Sequence, residues 1–321
     1  MKKIFISLSL LFVFVACQAP QPMPDVLHGR VLVLGDSITQ DGRYVSVVEY
    51  ELFKNYSGED FDIISIGLSS ETVSGLTEPD HPYPRPNLHE RLGRALEKIK
   101  PQTVFACYGM NDGIYHPQSD ERFQAYKDGI QKLIADVQAV GARLVILTPP
   151  IFDPALAGDK VVDLDAPEFG YAHPYKGYND VLADYADWLL HLDISGVQVI
   201  DLNGPMLAYT QKQRESNPDF AFSKDGVHPQ LAGHVLMAQL LLNGVGATCE
   251  AGDPQELAAK LEQHELFKFV HERRRMRSTA WLLDVGFIKP GNYKGLPVDE
   301  AEARAAEMRA KIVDAVLKTK E

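Results

Sequence analysis

One serine, one histidine and one carboxylate, each in a turn-rich setting, define the chemistry open to this chain. Val31-Leu32-Val33-Leu34 runs into Gly35-Asp36-Ser37-Ile38-Thr39, a short apolar strand followed by a turn that lifts a hydroxyl into solvent. Far down the chain, Asp225-Gly226-Val227-His228-Pro229 supplies a carboxylate and an imidazole three positions apart. A serine hydroxyl alone is a poor nucleophile at neutral pH. Acyl transfer needs a base within hydrogen-bond reach and a third group that fixes the base's tautomer. Ser37, His228 and Asp225 suit the roles of nucleophile, base and orienting acid.

Acyl transfer also builds negative charge on the former carbonyl oxygen, so donors must already be aimed at that point. The Ser37 and Gly67 N–H groups and the Asn111 side chain are the candidates. Glycine lets its N–H approach a substrate with no Cβ in the way, and asparagine donates while staying uncharged. Asp36 adjoins Ser37, but adjacent side chains point apart, and a turn-stabilising bond to nearby N–H groups suits it better. Asp112 with His116, and His173, either line the pocket or, the favoured reading, are surface-loop residues with no fixed partner. Tyr83 and Arg85 stand in a loop with four prolines, either as a rigid rim that selects substrate or as structure alone.

Positioning these groups falls to an alternating β/α chain. Apolar, β-branched runs recur at Val31–Leu34, Phe61–Ile66, Thr103–Tyr108, Arg143–Leu147 and Val197–Asp201, and longer segments with helical patterns separate them. From Phe123 to Val140, Phe123, Tyr126, Ile130, Leu133, Ile134 and Val137 fall at spacings of three and four, which predicts a helix covering a sheet, stopped by Gly141. Runs such as Leu144-Val145-Ile146-Leu147 suit a parallel sheet covered on both faces, whose ligand site lies beyond the strands' C-terminal ends. Gly35-Asp36-Ser37, Gly67, Gly109-Met110-Asn111-Asp112 and Thr148-Pro149-Pro150 fall at those ends.

At 321 residues and 45% hydrophobic, the chain has enough for one substantial core. Met1-Lys2-Lys3 and the apolar run to Val15 have the layout of an export leader, too short to span a bilayer comfortably. Phe14-Val15-Ala16-Cys17 resembles a bacterial lipobox, which implies a lipidated Cys17 and a periplasmic or cell-surface lipoprotein. We expect residues 1–16 as signal peptide, 17–27 as a Pro-rich tether without fixed tertiary contacts, 28–248 as the catalytic domain and 249–321 as a helical extension. The formal charge of −12 disfavours nucleic acid as a partner. Cys107 reads as a small buried thiol, and no disulfide with Cys249 is expected. His264, Glu265, His271 and Glu272 share helix faces without a zinc motif and read as a solvated face. The extension's helices also offer a docking surface for a second copy.

In order and spacing, Ser37, Gly67, Asn111 and His228 resemble the four naming residues of the GDSL-type, or SGNH, hydrolase superfamily. Ile38 stands where the family name has Leu, and Ser65-Ile66-Gly67-Leu68-Ser69-Ser70 keeps only the first glycine of the second block. The resemblance covers about residues 30 to 245. Segments at Glu78–Pro86 and Ala280–Gly286 are similar to exported bacterial members with a C-terminal helical tail. It implies a flavodoxin-like three-layer α/β/α sandwich with a five-stranded parallel sheet, and ester hydrolysis through an acyl-enzyme with no metal or cofactor. Short acyl groups on carbohydrate are the expected substrate, with lipolytic or thioester cleavage as the alternative. A catalytically silent glycan-binding protein is the alternative of another class.

Overall fold

A computed structural model describes residues 22–319. Five strands, β1 (Gly29–Gly35), β2 (Phe61–Ser65), β3 (Thr103–Cys107), β4 (Arg143–Leu147) and β5 (Val197–Ile200), form one parallel sheet in the order β2-β1-β3-β4-β5. In chain order the helices are α1 (Ser37–Asp41), α2 (Arg43–Tyr56), α3 (Leu92–Ile99), α4 (Asp120–Ala139), α5 (Tyr178–Leu190), α6 (Asn203–Arg214) and α7 (Leu231–Gly244). Then come α8 (Pro254–Gln263), α9 (Glu265–Val285) and α10 (Val298–Lys318). The predicted helix after Phe123 is α4, capped at its start by the Ser119 side chain and followed by Gly141 at φ +73°.

Right-handed crossovers dictate the layers. From β1 the chain steps one way to β2, placing α2 on one face. From β2 through β5 it steps the other way, placing α3, α4 and α5 on the opposite face. α7 returns to pack on α2. Strands β1 to β4, covered on both sides, bury most of their residues, and all five of β3 are buried, whereas the edge strand β5 buries only Ile200. Because connections leave β1 and β3 in opposite directions, a crevice opens at the C-terminal ends of these two strands. Ser37 follows β1 there, paired in register with β3 through Gly35 and Cys107.

The C-terminal helices bury Phe267, Val270, Trp281, Leu282, Val285, Ile312 and Val316 in the core, and charged and polar side chains fasten them to the sheet edge as well. β2 is an edge strand, and its outward carbonyls recur every second residue. Arg309 donates to Phe61 O at 3.0 Å, Arg277 to Ile63 O at 2.9 Å, and the Ser278 hydroxyl to Ser65 O. Arg277 also bridges Asp62 at 2.7 Å and Glu302 at 2.9 Å, and Arg273 pairs with Glu49 at 3.0 Å. α9 thus seals the sheet edge with side chains that a helical wheel assigns to water.

Two expectations need correction. His271 does not join a solvated face, since its Nδ1 lies 2.9 Å from Ser46 Oγ, although His264, Glu265 and Glu272 are exposed. Within the 17–27 tether, residues 22–27 are packed: Met23 and Leu27 are buried, and a single turn over Asp25–Leu27 seats Leu27 beside Val31, Val45 and Leu241. Two large apolar side chains in six residues found a place to bury. The leader and Cys17 lie outside the described residues. Cys107 is buried, and it and Cys249 are free thiols.

Candidate active site

The nucleophile turn is built by close packing. A Cβ on Gly35 would fall 2.2 Å from Thr39 Oγ1, so the chain can fold back into α1 only if this residue is glycine. Asp36 caps the turn, its carboxylate accepting from Ile38 N–H at 2.9 Å. Burial pushes that carboxyl up to about 7 against the pull of this bond and of His228. Gly42, at φ +60°, ends α1 and starts α2.

Ser37, His228 and Asp225 meet at this point. Ser37 Oγ lies 2.8 Å from His228 Nε2, and His228 Nδ1 lies 2.7 Å from Asp225 Oδ2. A carboxylate only accepts, so Nδ1 carries the ring proton and Nε2 turns its lone pair to the hydroxyl. The second carboxylate oxygen is held by Ser223 Oγ at 2.8 Å and by the N–H groups of Val227 and His228 at 2.9 and 2.8 Å. Gly226, at φ +87°, makes this tight loop accessible. Burial pushes the Asp225 carboxyl up, but the His228 bond and the two N–H donors outweigh it and hold it well below the usual carboxylate range. For His228, burial favours the neutral ring. The Asp225 bond and charge, with Asp36 and Asp41 behind, overcome this and raise its pKa. The side chains of His228 and Asp225 are 49% and 52% exposed, so the pair stands at an open surface.

Asn111, at the end of β3, is buried with its amide fully oriented. Its Oδ1 accepts from Arg85 Nη1 at 3.0 Å and from Tyr115 OH at 3.1 Å. Arginine has no acceptor, so the atom facing it must be the oxygen. Nδ2 gives one N–H to Glu71 O at 3.2 Å, and the other has no partner among the described residues. Gly67 sits where expected, at the end of β2, and has a further reason to be glycine. A Cβ there would fall 2.4 Å from Gln40 N and 2.5 Å from Thr39 C, so α1 fills the space.

The sequence reading missed the polar layer beneath Asn111. Arg85 is no rim residue: its side chain is 1% exposed and forms a two-bond fork, each 2.6 Å, with the equally buried Glu78. Seven residues in a proline-rich loop separate the two, and no periodicity links them. Glu71 likewise pairs with buried Arg91 at 2.6 Å and accepts from Tyr108 OH. Asp112 is not a surface residue either. It is fully buried and accepts from Val73 and Ser74 N–H at 2.8 Å each, tying the loop after β3 to the one after β2. His173 is exposed as expected. Tyr83 keeps a place near the surface, its OH 3.2 Å from Ser70 Oγ.

A comparison with solved structures finds the same fold in other proteins. An acetylxylan esterase from Geobacillus stearothermophilus, as a catalytic mutant, aligns over 72% of this chain and 100% of its own at TM-score 0.52 and 18% identity. An alpha/beta hydrolase from the metagenome of Lake Arreo, Spain, aligns over 69% of this chain and 97% of its own at 0.50 and 21%. A gut microbial diltiazem-metabolizing enzyme aligns over 70% of this chain at 0.53 and 19%, and the chain spans about half of that protein, 48%. A search of curated proteins finds no match. The model of the GDSL-like lipase/acylhydrolase family matches residues 33–236, a span that opens in β1 and closes in α7, enclosing Ser37, Asn111 and His228. By that match the chain belongs to the GDSL-like lipase/acylhydrolase family and is a serine hydrolase of ester bonds.

Proposed function

We propose that this chain is an exported carbohydrate O-acetylesterase, held at a membrane by a lipid on Cys17, with Ser37 as nucleophile. Ser37 Oγ attacks the acetyl carbonyl as His228 Nε2 takes its proton, while Asp225 holds the ring in the required tautomer. Ser37 N–H, Gly67 N–H and the spare Asn111 N–H receive the oxyanion. The imidazolium returns its proton to the departing sugar oxygen, leaving an acetyl-enzyme. His228 then deprotonates water, which releases acetate and restores Ser37.

The observation that carries this reading is the continuous Ser37–His228–Asp225 chain of bonds at an open surface. A half-exposed base leaves room for a bulky alcohol. Tyr171, 54% exposed and 5.1 Å from the His81 ring, and Tyr83 add flat amphipathic surfaces on neighbouring loops, a form suited to sugar faces. The named substrate of the Geobacillus protein, acetylxylan, is of the same kind. The membrane anchor rests on the leader's sequence alone.

Rates on acetyl, octanoyl and palmitoyl esters of one alcohol test the acyl assignment. They are expected to fall with chain length, and acetate should appear from acetylated xylooligosaccharides. A rate that rises with chain length defeats the acetylesterase reading and favours a lipolytic one.

The pH profile follows from the charges. The base must be neutral, so kcat/KM falls as pH drops through the His228 pKa. Because Asp225, Asp36 and Asp41 raise that pKa, the acid limb is expected above 6.5. Asp225→Asn removes the largest raising influence, and its limb should lie at lower pH than that of the native protein. Coincident limbs would show that Asp225 does not act on His228.

A further inference from the structure

We propose that Arg85, held by Glu78, is a positioning residue that orients and polarises the Asn111 amide for the oxyanion. The inference rests on Asn111 being an oxyanion donor, as the proposed function has it. Arg85 is 5% exposed as a residue, and both charged groups of the Arg85–Glu78 pair are out of solvent. Buried ion pairs are costly to desolvate and give little net stability against apolar residues of similar size. Each nitrogen of this guanidinium nonetheless has a partner. Nε and Nη2 fork onto Glu78, while Nη1 reaches Asn111 Oδ1 at 3.0 Å and Ser70 O at 3.5 Å. The Tyr115 ring lies 5.5 Å from the guanidinium, and its hydroxyl is the second donor to the same amide oxygen.

Two effects follow. A flipped Asn111 would turn its NH2 toward a group that only donates, so Arg85 locks the amide with its nitrogen available elsewhere. A cation on the amide oxygen also draws electron density from the nitrogen, which makes its free N–H a stronger donor. Burial disfavours the charge on Arg85, and the Glu78 bond outweighs this and keeps it. Both effects act on the developing oxyanion and are absent in substrate binding, so they belong in kcat.

The test compares kcat and KM on an acetyl ester in two backgrounds. Arg85→Met with Glu78→Met removes the pair without stranding a charge, so the fold is expected to survive. In the native background kcat should fall roughly ten- to a hundredfold with KM within about twofold. In an Asn111→Ala background, itself lower by about a hundredfold or more, the same double replacement should change kcat by less than about twofold. Losses that multiply across the two backgrounds overturn the proposal, because Arg85 would then act on something other than Asn111. Arg85→Lys keeps a cation but loses the fork, and is expected to retain thermal stability with kcat reduced. An unchanged kcat in that variant also overturns it. Fluorophosphonate labelling of Ser37 separates the two readings: no labelling in the native protein sinks the proposed function, whereas labelling with unaffected kcat in the Arg85 variants sinks this inference alone.

Discussion

Ser37→Ala is expected to lower kcat on a carboxylic ester by on the order of a millionfold, the loss seen when a serine hydrolase gives up its nucleophile. The expectation follows from geometry. Ser37 Oγ is 2.8 Å from His228 Nε2, which is placed to take its proton, and that imidazole is oriented by a carboxylate that accepts from three further donors. Removing the hydroxyl leaves His228 able to activate water, and leaves the oxyanion donors intact. A residual rate above the uncatalysed one is therefore compatible with the assignment. Steady-state rates on an acetyl ester, with mass spectrometry to confirm that native protein forms an acyl adduct on Ser37, decide the matter. Native-like turnover in the variant removes the nucleophile assignment.

Arg277→Ala is expected to destabilise the fold by about 3–5 kcal/mol, lowering the melting temperature by on the order of 10 °C. Arg277 is 3% exposed and serves three acceptors: Ile63 O on the sheet edge, the Asp62 carboxylate, and Glu302 on α10. Without it, Asp62 keeps Arg30 and Glu302 keeps the Trp281 N–H, but the cation between the two carboxylates is gone and the Ile63 carbonyl on the sheet edge loses its donor. Denaturant titration of native protein and variant measures the difference. An unshifted midpoint would mean that water already satisfies these groups. A further consequence concerns truncation: removing residues 249–321 bares the whole β2 edge, so a change in mass of the shortened chain would report new edge pairing as readily as a lost interface.

Which parts were legible in the sequence has a physical pattern. Strands such as Val31–Leu34 and Leu144–Leu147 are apolar runs bounded by turns, and a strand buried on both faces has no other way to be written. Ser37, Asn111, Asp225 and His228 stand at strand ends or in loops with glycines, where local backbone demands show. Gly67 has a further reason to be glycine that the sequence does not show, because the atoms that forbid a Cβ there come from α1. Arg85, Glu78, Arg273 and Arg277 were missed or misplaced. A charged side chain reads as solvated until its partner is known, and these partners lie in distant loops or other helices. Met23 and Leu27 were lost in the proline-rich composition around them.

The open position of the imidazole has a consequence for the fate of the acyl group. The His228 side chain is 49% exposed, so hydroxyls of different sizes can reach it from solvent. Ethanol, glycerol or a second sugar is therefore expected to compete with water for the acyl-enzyme, and transfer products should grow with the alcohol concentration supplied.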